Sequence, residues 1–167
     1  MTAFVTTLQT EVAPWSVVVD QSGVVVGSGF DDPDVIVGRL SQPLRAGGVE
    51  TRSDLGTVST AMRAYLDGDA AALDAVAVAQ PGGDFQQAVW EVMRAIPAGE
   101  TWSYAELATK AGRPSASRAA GTACARNLVA PFVPCHRVVR ADGSLGGYYY
   151  GLAVKRWLLA LESAGAG

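Results

Sequence analysis

The sequence predicts a small α/β N-terminal domain, an antiparallel sheet with helices, followed by a mainly α-helical C-terminal domain with a winged-helix-like helix-turn-helix. Three observations lead to this fold class. β-Branched runs near the N terminus are typical of strands, a Pro/Gly-rich stretch interrupts the chain near its middle, and two helical segments joined by a short turn follow it. We expect domains over residues 1–80 and 81–167, because a chain of 167 residues can form one or two cores.

Strand and helix patterns follow one another in the N-terminal half. The runs WSVVVD and GVVVGSGF, joined by residues 21–23, predict a β-hairpin. Asp32 and Pro33 are typical of the N-cap and the first position of a short helix. Ser53 is the expected N-cap of a further helix, whose apolar residues recur at helical spacing as far as Leu66. We interpret the apolar residues of this half as core.

The stretch AQPGGD, residues 79–84, is the expected domain boundary. Asp84 and Gln87 have the pattern of a capping box at the start of the helix FQQAVWEVMRAI, whose apolar side chains line one face. Ser103 and Glu106 form a second capping box and predict the start of the next helix.

Residues 103–126 have the length and turn residues of a helix-turn-helix. Gly112 ends the first helix, and SASRAAGTACARN forms the second, whose only long side chains are Arg118 and Arg126. A helix without bulky side chains can approach a DNA backbone or enter a narrow groove. The alternative interpretation is close packing of this helix against a neighbouring one.

The composition indicates a globular protein of the cytoplasm. Hydrophobic residues make up 49 % of the chain and charged residues 17 %, and no apolar run is long enough for a membrane helix. The N terminus has no pattern of a secretory signal. The two cysteines do not form a disulfide framework, which favours a reducing compartment.

The charge is unevenly distributed. The first 100 residues hold 5 Lys/Arg and 13 Asp/Glu, a net charge of −8, whereas residues 101–167 hold 8 and 3, a net charge of +5. This asymmetry indicates contact of the basic half with nucleic acid or another anionic surface. A charge difference without any partner is the alternative.

The segment VPCHRVV contains Cys135 and the single histidine, His136. A free thiol has a pKa of about 8.5, so that a nucleophilic cysteine needs a base or a positive field. Adjacent side chains point to different sides of a strand or helix, which makes a direct bond between them awkward. A water between the thiol and His136, with a carboxylate on the other ring nitrogen, provides a relay to the sulfur. Arg137 either adds positive charge near the thiol or has a structural role.

Other interpretations compete with a nucleophile. Zinc takes about four ligands, and Cys124, Cys135 and His136 supply at most three, two of them adjacent. A Cys-x-x-Cys redox motif is absent from the sequence. A buried structural cysteine beside a core histidine is the main alternative, and we interpret Cys124 as a packing residue.

The motif PCHRVV, residues 134–139, resembles the alkyl-acceptor motif of the O6-alkylguanine-DNA alkyltransferases, which repair DNA by direct reversal. The surrounding sequence is also similar to this family. In order, the similar segments are FQQAVWEVMRAIPAGETWSYAELA, SRAAG, an asparagine eight residues before the cysteine, a Gly-Tyr pair and LAVKRWLLALE. The resemblance covers residues 85–165 specifically, and the N-terminal half only in its layout.

The resemblance implies a catalytic group of four residues. Cys135 looks like the acceptor, which attacks the alkyl carbon on guanine O6 and keeps it as a thioether. His136 would be the water-mediated base, and Glu162 the carboxylate that orients it. Asn127 resembles the asparagine that braces the turn before the active-site segment.

The resemblance also implies residues that bind substrate and DNA. Arg118 looks like the finger that fills the gap left by a flipped nucleotide. Tyr104 resembles the tyrosine that crowds the phosphate and can donate to the base, and Tyr148 the aromatic wall of the pocket. Backbone groups near Cys135, Val138 and Tyr149 would recognise the guanine edge.

The sequence departs from the family pattern in three respects. Leu128 occupies a position where many members have proline, so we expect a less rigid turn. Tyr149 and Tyr150 occupy a loop where glycine or another aromatic residue is common in the family, so we expect bulky adducts such as benzyl to be excluded. The N-terminal half lacks the cysteines and histidines of zinc-binding relatives, and we expect neither metal nor cofactor.

We therefore expect a monomeric, single-turnover alkyltransferase. Its substrate would be O6-alkylguanine in double-stranded DNA, with O4-alkylthymine as a further substrate. A non-catalytic DNA-binding protein that senses alkyl lesions is the first alternative, although such relatives lack the cysteine. A cysteine hydrolase that turns over repeatedly is the second.

Overall fold

The computed structural model describes residues 1–166, so the last residue of the expected domain 81–167 lies outside the described residues. In the N-terminal half, the strands of a small sheet are interspersed with short helices, and the C-terminal half is mainly helical. The elements are β1 (Ala3–Gln9), β2 (Pro14–Val19), β3 (Val25–Gly29), α1 (Pro33–Gly38), α2 (Gln42–Ala46), β4 (Val49–Thr51), α3 (Thr57–Leu66), α4 (Asp84–Arg94), β5 (Trp102–Ser103), α5 (Tyr104–Lys110), α6 (Ser117–Ala125), a 3-10 turn (Cys135–Arg137), β6 (Val138–Val139) and α7 (Leu152–Ala166).

The N-terminal sheet has the order β3-β2-β1-β4. The predicted hairpin is confirmed, since β2 and β3 pair antiparallel with Val17 opposite Ser28. The expectation of a wholly antiparallel sheet is wrong for its last strand, because β4 pairs parallel to β1. Helices α1 and α2 carry the chain between β3 and β4, and a connection of this length allows a parallel strand.

Helix α1 begins as the sequence predicts, with Asp32 at the N-cap and Pro33 in the first turn. The predicted cap of α3 is wrong: the helix starts at Thr57, and its N-cap is Gly56 instead of Ser53. Gly56 has φ +70°, a conformation that favours glycine and that interrupts any helix begun earlier. The apolar face of α3 is buried as expected.

The start of α4 also differs by one residue from the prediction. Asp84 is already helical, and the extended residue before it, Gly83, is the N-cap, with Gln86 at the third helical position. The capping box of α5 is confirmed, because the Glu106 amide donates to the Ser103 hydroxyl at 3.1 Å. Gly112, with φ +94°, lies in the turn between α5 and α6.

Two short features hold the segment around Cys135: a strand pair within the C-terminal half and a hydrogen bond between the two halves. Strands β5 and β6 pair in parallel, which sets the start of α5 beside the segment that contains Cys135. The Ser28 hydroxyl of β3 donates to the Ala130 carbonyl at 2.6 Å and accepts from the Trp15 indole at 3.0 Å. One hydrophobic core therefore includes side chains of both halves. Within residues 1–166, no helix combines the length and the apolar character needed to cross a bilayer.

Candidate active site

Residues 131–139 are buried along their whole length. Pro134 precedes the 3-10 turn that begins at Cys135, and β6 follows this turn directly. Proline restricts the backbone on one side of the turn, and the pairing of β6 with β5 fixes it on the other. Cys135 is only 8 % exposed. Its thiol is thus held on a rigid segment.

The Cys135 thiol lies on the wall of a cavity of about 300 Å³. This volume is at the small end of the range for small-molecule sites. Helix α6 contributes only small side chains to the wall, so the shallow surface that the sequence predicts for this helix leaves room for the cavity. The lining residues are Tyr104, Gly121, Cys124, Ala125, Cys135, Gly147, Tyr148 and Tyr149.

Three aromatic residues singled out from the sequence line this cavity: Tyr104, Tyr148 and Tyr149. The Tyr148 hydroxyl is buried and has no hydrogen-bond partner within the described chain. Val138 does not line the cavity. Its amide donates to the Cys135 carbonyl and its own carbonyl accepts from Lys155, so its backbone supports the turn.

His136 and Glu162 form a buried pair behind the turn. The distance between His136 Nε2 and Glu162 Oε2 is 2.8 Å, and neither side chain is exposed. Burial lowers the pKa of His136, although the hydrogen bond to Glu162 opposes this effect, so the ring is neutral. An ionised carboxylate can only accept, so Nε2 carries the proton and Nδ1 is left as a base. Nδ1 has no hydrogen-bond partner among the described residues.

Glu162 also binds residues that the sequence does not connect with it. Arg137 donates to it from Nε at 2.8 Å and from Nη2 at 2.9 Å, and the Tyr65 hydroxyl donates at 2.6 Å. Burial raises the pKa of Glu162, but the hydrogen bonds from His136 and Arg137 and the positive charge of Arg137 outweigh this and lower the pKa to about 2. The carboxylate is therefore ionised, and Arg137 compensates its charge.

Asn127 follows α6 and contacts the sulfur. Its Nδ2 donates to the Val133 carbonyl at 2.8 Å and to Cys135 Sγ at 3.4 Å. Burial raises the pKa of the Cys135 thiol, while the Asn127 hydrogen bond and the positive charge of Lys155 lower it. Asn127 and Lys155 are thus the groups that favour a thiolate in this buried position.

Lys155 is a residue that the sequence analysis missed. It is fully buried in α7, and its Nζ donates to the carbonyls of Val138 at 2.8 Å, Gly147 at 3.2 Å and Leu145. It thereby ties the chain after Cys135 to the loop that lines the cavity. Its seven-residue spacing from Glu162 could have identified it, because this spacing puts both on the same helix face.

A second missed residue, Arg39, holds the tyrosine loop from the N-terminal half. Its guanidinium lies 4.0 Å from the ring centroid of Tyr149, and its Nη1 donates to the Tyr150 hydroxyl at 2.7 Å. Tyr150 packs against Phe30 and over Gly29, where an added Cβ would lie 1.9 Å from its hydroxyl. Tyr149 therefore faces the cavity, whereas Tyr150 anchors the loop.

Arg118 is exposed near the start of α6. Gly121 and Ala125 follow it at spacings of three and seven residues, so all three lie on one helix face. The structure thus places Arg118 next to the wall of the cavity. In the described part of the chain, no group of three or more His, Cys, Asp or Glu side chains is arranged to hold a metal ion.

Known proteins resemble this chain in sequence and in structure. The family pattern described as "6-O-methylguanine DNA methyltransferase, DNA binding domain" matches residues 84–164. A methylated-DNA–protein-cysteine methyltransferase of Methanosarcina acetivorans is 44 % identical over 116 residues, 70 % of this chain and 74 % of the relative. Mycobacterium tuberculosis OGT in complex with DNA has a TM-score of 0.79 at 33 % identity, over 97 % of this chain and 94 % of that chain. M. tuberculosis O6-methylguanine methyltransferase has a TM-score of 0.78 at 32 % identity, over 99 % and 95 %.

Proposed function

We propose, since the chain belongs to the family of methylated-DNA–protein-cysteine methyltransferases, that Cys135 is the residue that takes the alkyl group. The function of the chain is DNA repair by alkyl transfer. The observation that carries the assignment is a buried thiol on the wall of a cavity. Asn127 donates a hydrogen bond to its sulfur, and the His136–Glu162 pair lies behind it.

The reaction is a displacement at the alkyl carbon of O6-alkylguanine, with O4-alkylthymine as a further substrate. The Cys135 thiolate forms the new carbon–sulfur bond while the bond between that carbon and O6 breaks. The electron pair of the broken bond stays on the base, which takes up a proton. The thioether has no route back to a thiol, so each molecule acts once.

The proton of the thiol leaves through His136. Its Nδ1 is the free base of the ring, and a water between it and the sulfur would carry the proton. Glu162 fixes the tautomer by accepting from Nε2 and stabilises the imidazolium that forms. Asn127 donates to the thiolate. The Tyr104 hydroxyl, which lines the same cavity, donates a hydrogen bond to the guanine as it leaves, and the proton taken up by His136 is the one that the guanine finally receives.

The cavity admits a base that has left the DNA stack. The alkylated O6 lies out of reach of a buried thiol while the base is stacked, and extrusion costs a few kcal/mol. Tyr148 forms the aromatic wall of the pocket. Backbone groups of Cys135 and Tyr149 recognise the guanine edge, whereas those of Val138 are already used within the turn.

We place double-stranded DNA on α5 and α6, which we interpret as a winged-helix-like helix-turn-helix. Arg118 is exposed on the face of α6 that also lines the cavity, and it fills the gap left by the flipped nucleotide. Residues 81–167 form the DNA-binding and alkyl-acceptor part, supported by residues 1–80. The protein acts as a monomer in the cytoplasm, where a reducing environment preserves the thiol.

The test is a reaction with duplex DNA that contains one O6-methylguanine. Intact-protein mass spectrometry should find one methyl group per protein, and peptide mapping should locate it on Cys135. Cys135→Ser should remove none of the lesion, whereas Cys124→Ser should still become methylated at Cys135. A methyl group on another residue, or lesion removal by Cys135→Ser, would contradict the assignment.

A further inference from the structure

We infer that Gln80, in the segment that joins the two halves of the chain, is a positioning residue for alkyl transfer and acts through Asn127. The inference rests on the proposed role of Cys135 as the acceptor. Gln80 touches neither the thiol nor the cavity that Cys135 lines. Its effect on the sulfur passes through one hydrogen bond to Asn127.

The Gln80 amide binds two consecutive residues. Its Nε2 donates to Asn127 Oδ1 at 3.0 Å, and its Oε1 accepts from the Leu128 amide at 2.7 Å. The Gln80 backbone carbonyl makes a separate contact, because it accepts from Gln87 Nε2 at 2.7 Å. The two side-chain hydrogen bonds by themselves present a donor to Asn127 and an acceptor to Leu128.

This arrangement determines which end of the Asn127 amide faces the sulfur. Asn127 Oδ1 accepts from Gln80 Nε2 and from the Val129 amide at 3.1 Å, so Nδ2 points to the Val133 carbonyl and to Cys135 Sγ. A rotated amide would bring Oδ1 against the sulfur, and an oxygen cannot donate to a thiolate. Gln80 therefore favours the orientation that stabilises the thiolate.

The same contact compensates for the missing proline after Asn127. Leu128 has an amide hydrogen, which a proline would lack, and Gln80 accepts it. The Leu128 carbonyl is also used, because the Ser28 amide donates to it at 2.8 Å. Hydrogen bonds from two sides thus fix a turn that the sequence predicts to be less rigid.

The experiment measures the reactivity of Cys135 without DNA and then with it. The full-length protein reacts with iodoacetamide at a series of pH values, and peptide mapping follows the modification of Cys135. Gln80→Leu removes both hydrogen bonds. Gln80→Glu keeps an acceptor for the Leu128 amide but replaces the donor to Asn127 with a second acceptor. Gln87→Leu is the matched control, since it removes a neighbouring hydrogen bond of the same segment without changing the Gln80 amide.

We expect Gln80→Leu to react roughly three- to tenfold more slowly at neutral pH, the effect of about one hydrogen bond, with its pH profile displaced to higher pH. Gln80→Glu should react at least as slowly, and Gln87→Leu should keep the wild-type profile. Methyl transfer from O6-methylguanine DNA should slow by a similar factor in the two Gln80 variants.

Wild-type profiles in both Gln80 variants would overturn the inference. So would an equal displacement in Gln87→Leu, because a general loosening of the segment would then explain the effect. If Gln80→Leu fails to fold, Gln80→Glu still tests the donor. Failure of the proposed function is distinct: wild-type Cys135 would react with iodoacetamide but take no methyl group from DNA.

Discussion

At the scale of single residues, the site combines a buried ion pair, Glu162 and Arg137, with the Cys135 thiol, which must lose its proton in order to react. Glu162 is ionised, and Arg137 compensates its charge through two hydrogen bonds. His136 is neutral and keeps Nδ1 free. A neutral base beside an unionised thiol avoids two buried charges until substrate arrives, and this explains why a thiol whose pKa is raised by burial can serve here.

Stability should therefore depend on pH through Glu162. Its pKa is lowered in the folded state, so its contribution is fully present above the ordinary value of 4.5 and is lost as the pH falls towards about 2. Glu162→Gln leaves Arg137 buried without a carboxylate, and we expect the free energy of unfolding to fall by about 3–5 kcal/mol near neutral pH. Urea unfolding of both proteins at several pH values measures the difference, which should shrink between pH 4.5 and 2.

Glu91→Gln is the control for this prediction. Glu91 lies on the exposed side of α4, so its replacement removes the same charge without disturbing a buried pair. The Glu91→Gln variant should have the free energy of unfolding of the wild type near neutral pH, and it should lose stability in acid to the same extent as the wild type. A Glu162→Gln protein as stable as the wild type near neutral pH would show that the carboxylate does not hold Arg137 and His136.

Tyr149 gives a prediction about substrate size. It lines a cavity of about 300 Å³ and is held by Arg39, so a benzyl group on O6 must compete with its ring for space. We expect poor reaction of the wild type with O6-benzylguanine. Tyr149→Gly should raise the ratio of the rate with O6-benzylguanine to the rate with O6-methylguanine. Mass spectrometry of Cys135 follows both reactions, and a ratio unchanged by the substitution would rule out Tyr149 as the size filter.

At the scale of elements, the sequence predicts helices and hairpins better than their ends. The apolar stripes of α3 and α4 are buried as predicted, whereas both N-caps belong to glycines, Gly56 and Gly83, that side-chain capping rules do not select. Strand β1 shows no clear alternation of buried and exposed residues, because the polar Thr6 is buried in it together with Ala3 and Val5. The elements that pack on a strand decide which of its side chains are buried, and a local pattern does not contain those elements.

The same limit applies to the candidate site. Cys135 and His136 are identifiable from the sequence as an adjacent thiol and imidazole, and Asn127 and Glu162 through the resemblance to the alkyltransferases. Lys155, Arg39 and Gln80 act through backbone carbonyls and distant side chains, and these contacts exist only once the chain has folded. Local sequence can thus identify the groups that react more readily than the groups that orient them.

Helix α6 gives a prediction about the repair of duplex DNA. Arg118 is exposed on the face that continues into the cavity wall, and we propose that it fills the DNA stack after flipping. Arg118→Ala should therefore slow the repair of duplex DNA far more than the reaction with free O6-benzylguanine or O6-methylguanine. Arg126→Ala, at the other end of the helix, is the control for loss of one positive charge. An equal loss of rate on duplex DNA and on the free base would mean that Arg118 does not fill the gap left by the flipped nucleotide.

At the scale of the whole molecule, the two halves differ in charge but share a core. Net charges of −8 and +5 separate the first 100 residues from the rest. The core nevertheless includes Trp15 and Tyr65 from the first part and Phe132 and Leu158 from the second. Contacts across the halves reach the site itself, because Tyr65 donates to Glu162. The N-terminal half therefore supports the chemistry from behind the active-site turn.

This shared core predicts how the molecule unfolds. Because residues of both halves pack in one cluster and Ser28 binds Ala130, separating the halves exposes buried apolar surface on each. We expect a single cooperative transition in urea, with the same midpoint by far-UV circular dichroism and by tryptophan fluorescence. Ser28→Ala should shift both midpoints together to lower urea, because it leaves the Trp15 indole and the Ala130 carbonyl without their partner. Two separate transitions would instead mean that the halves are independent domains, and the N-terminal half could then influence Cys135 only through the connecting segment that contains Gln80.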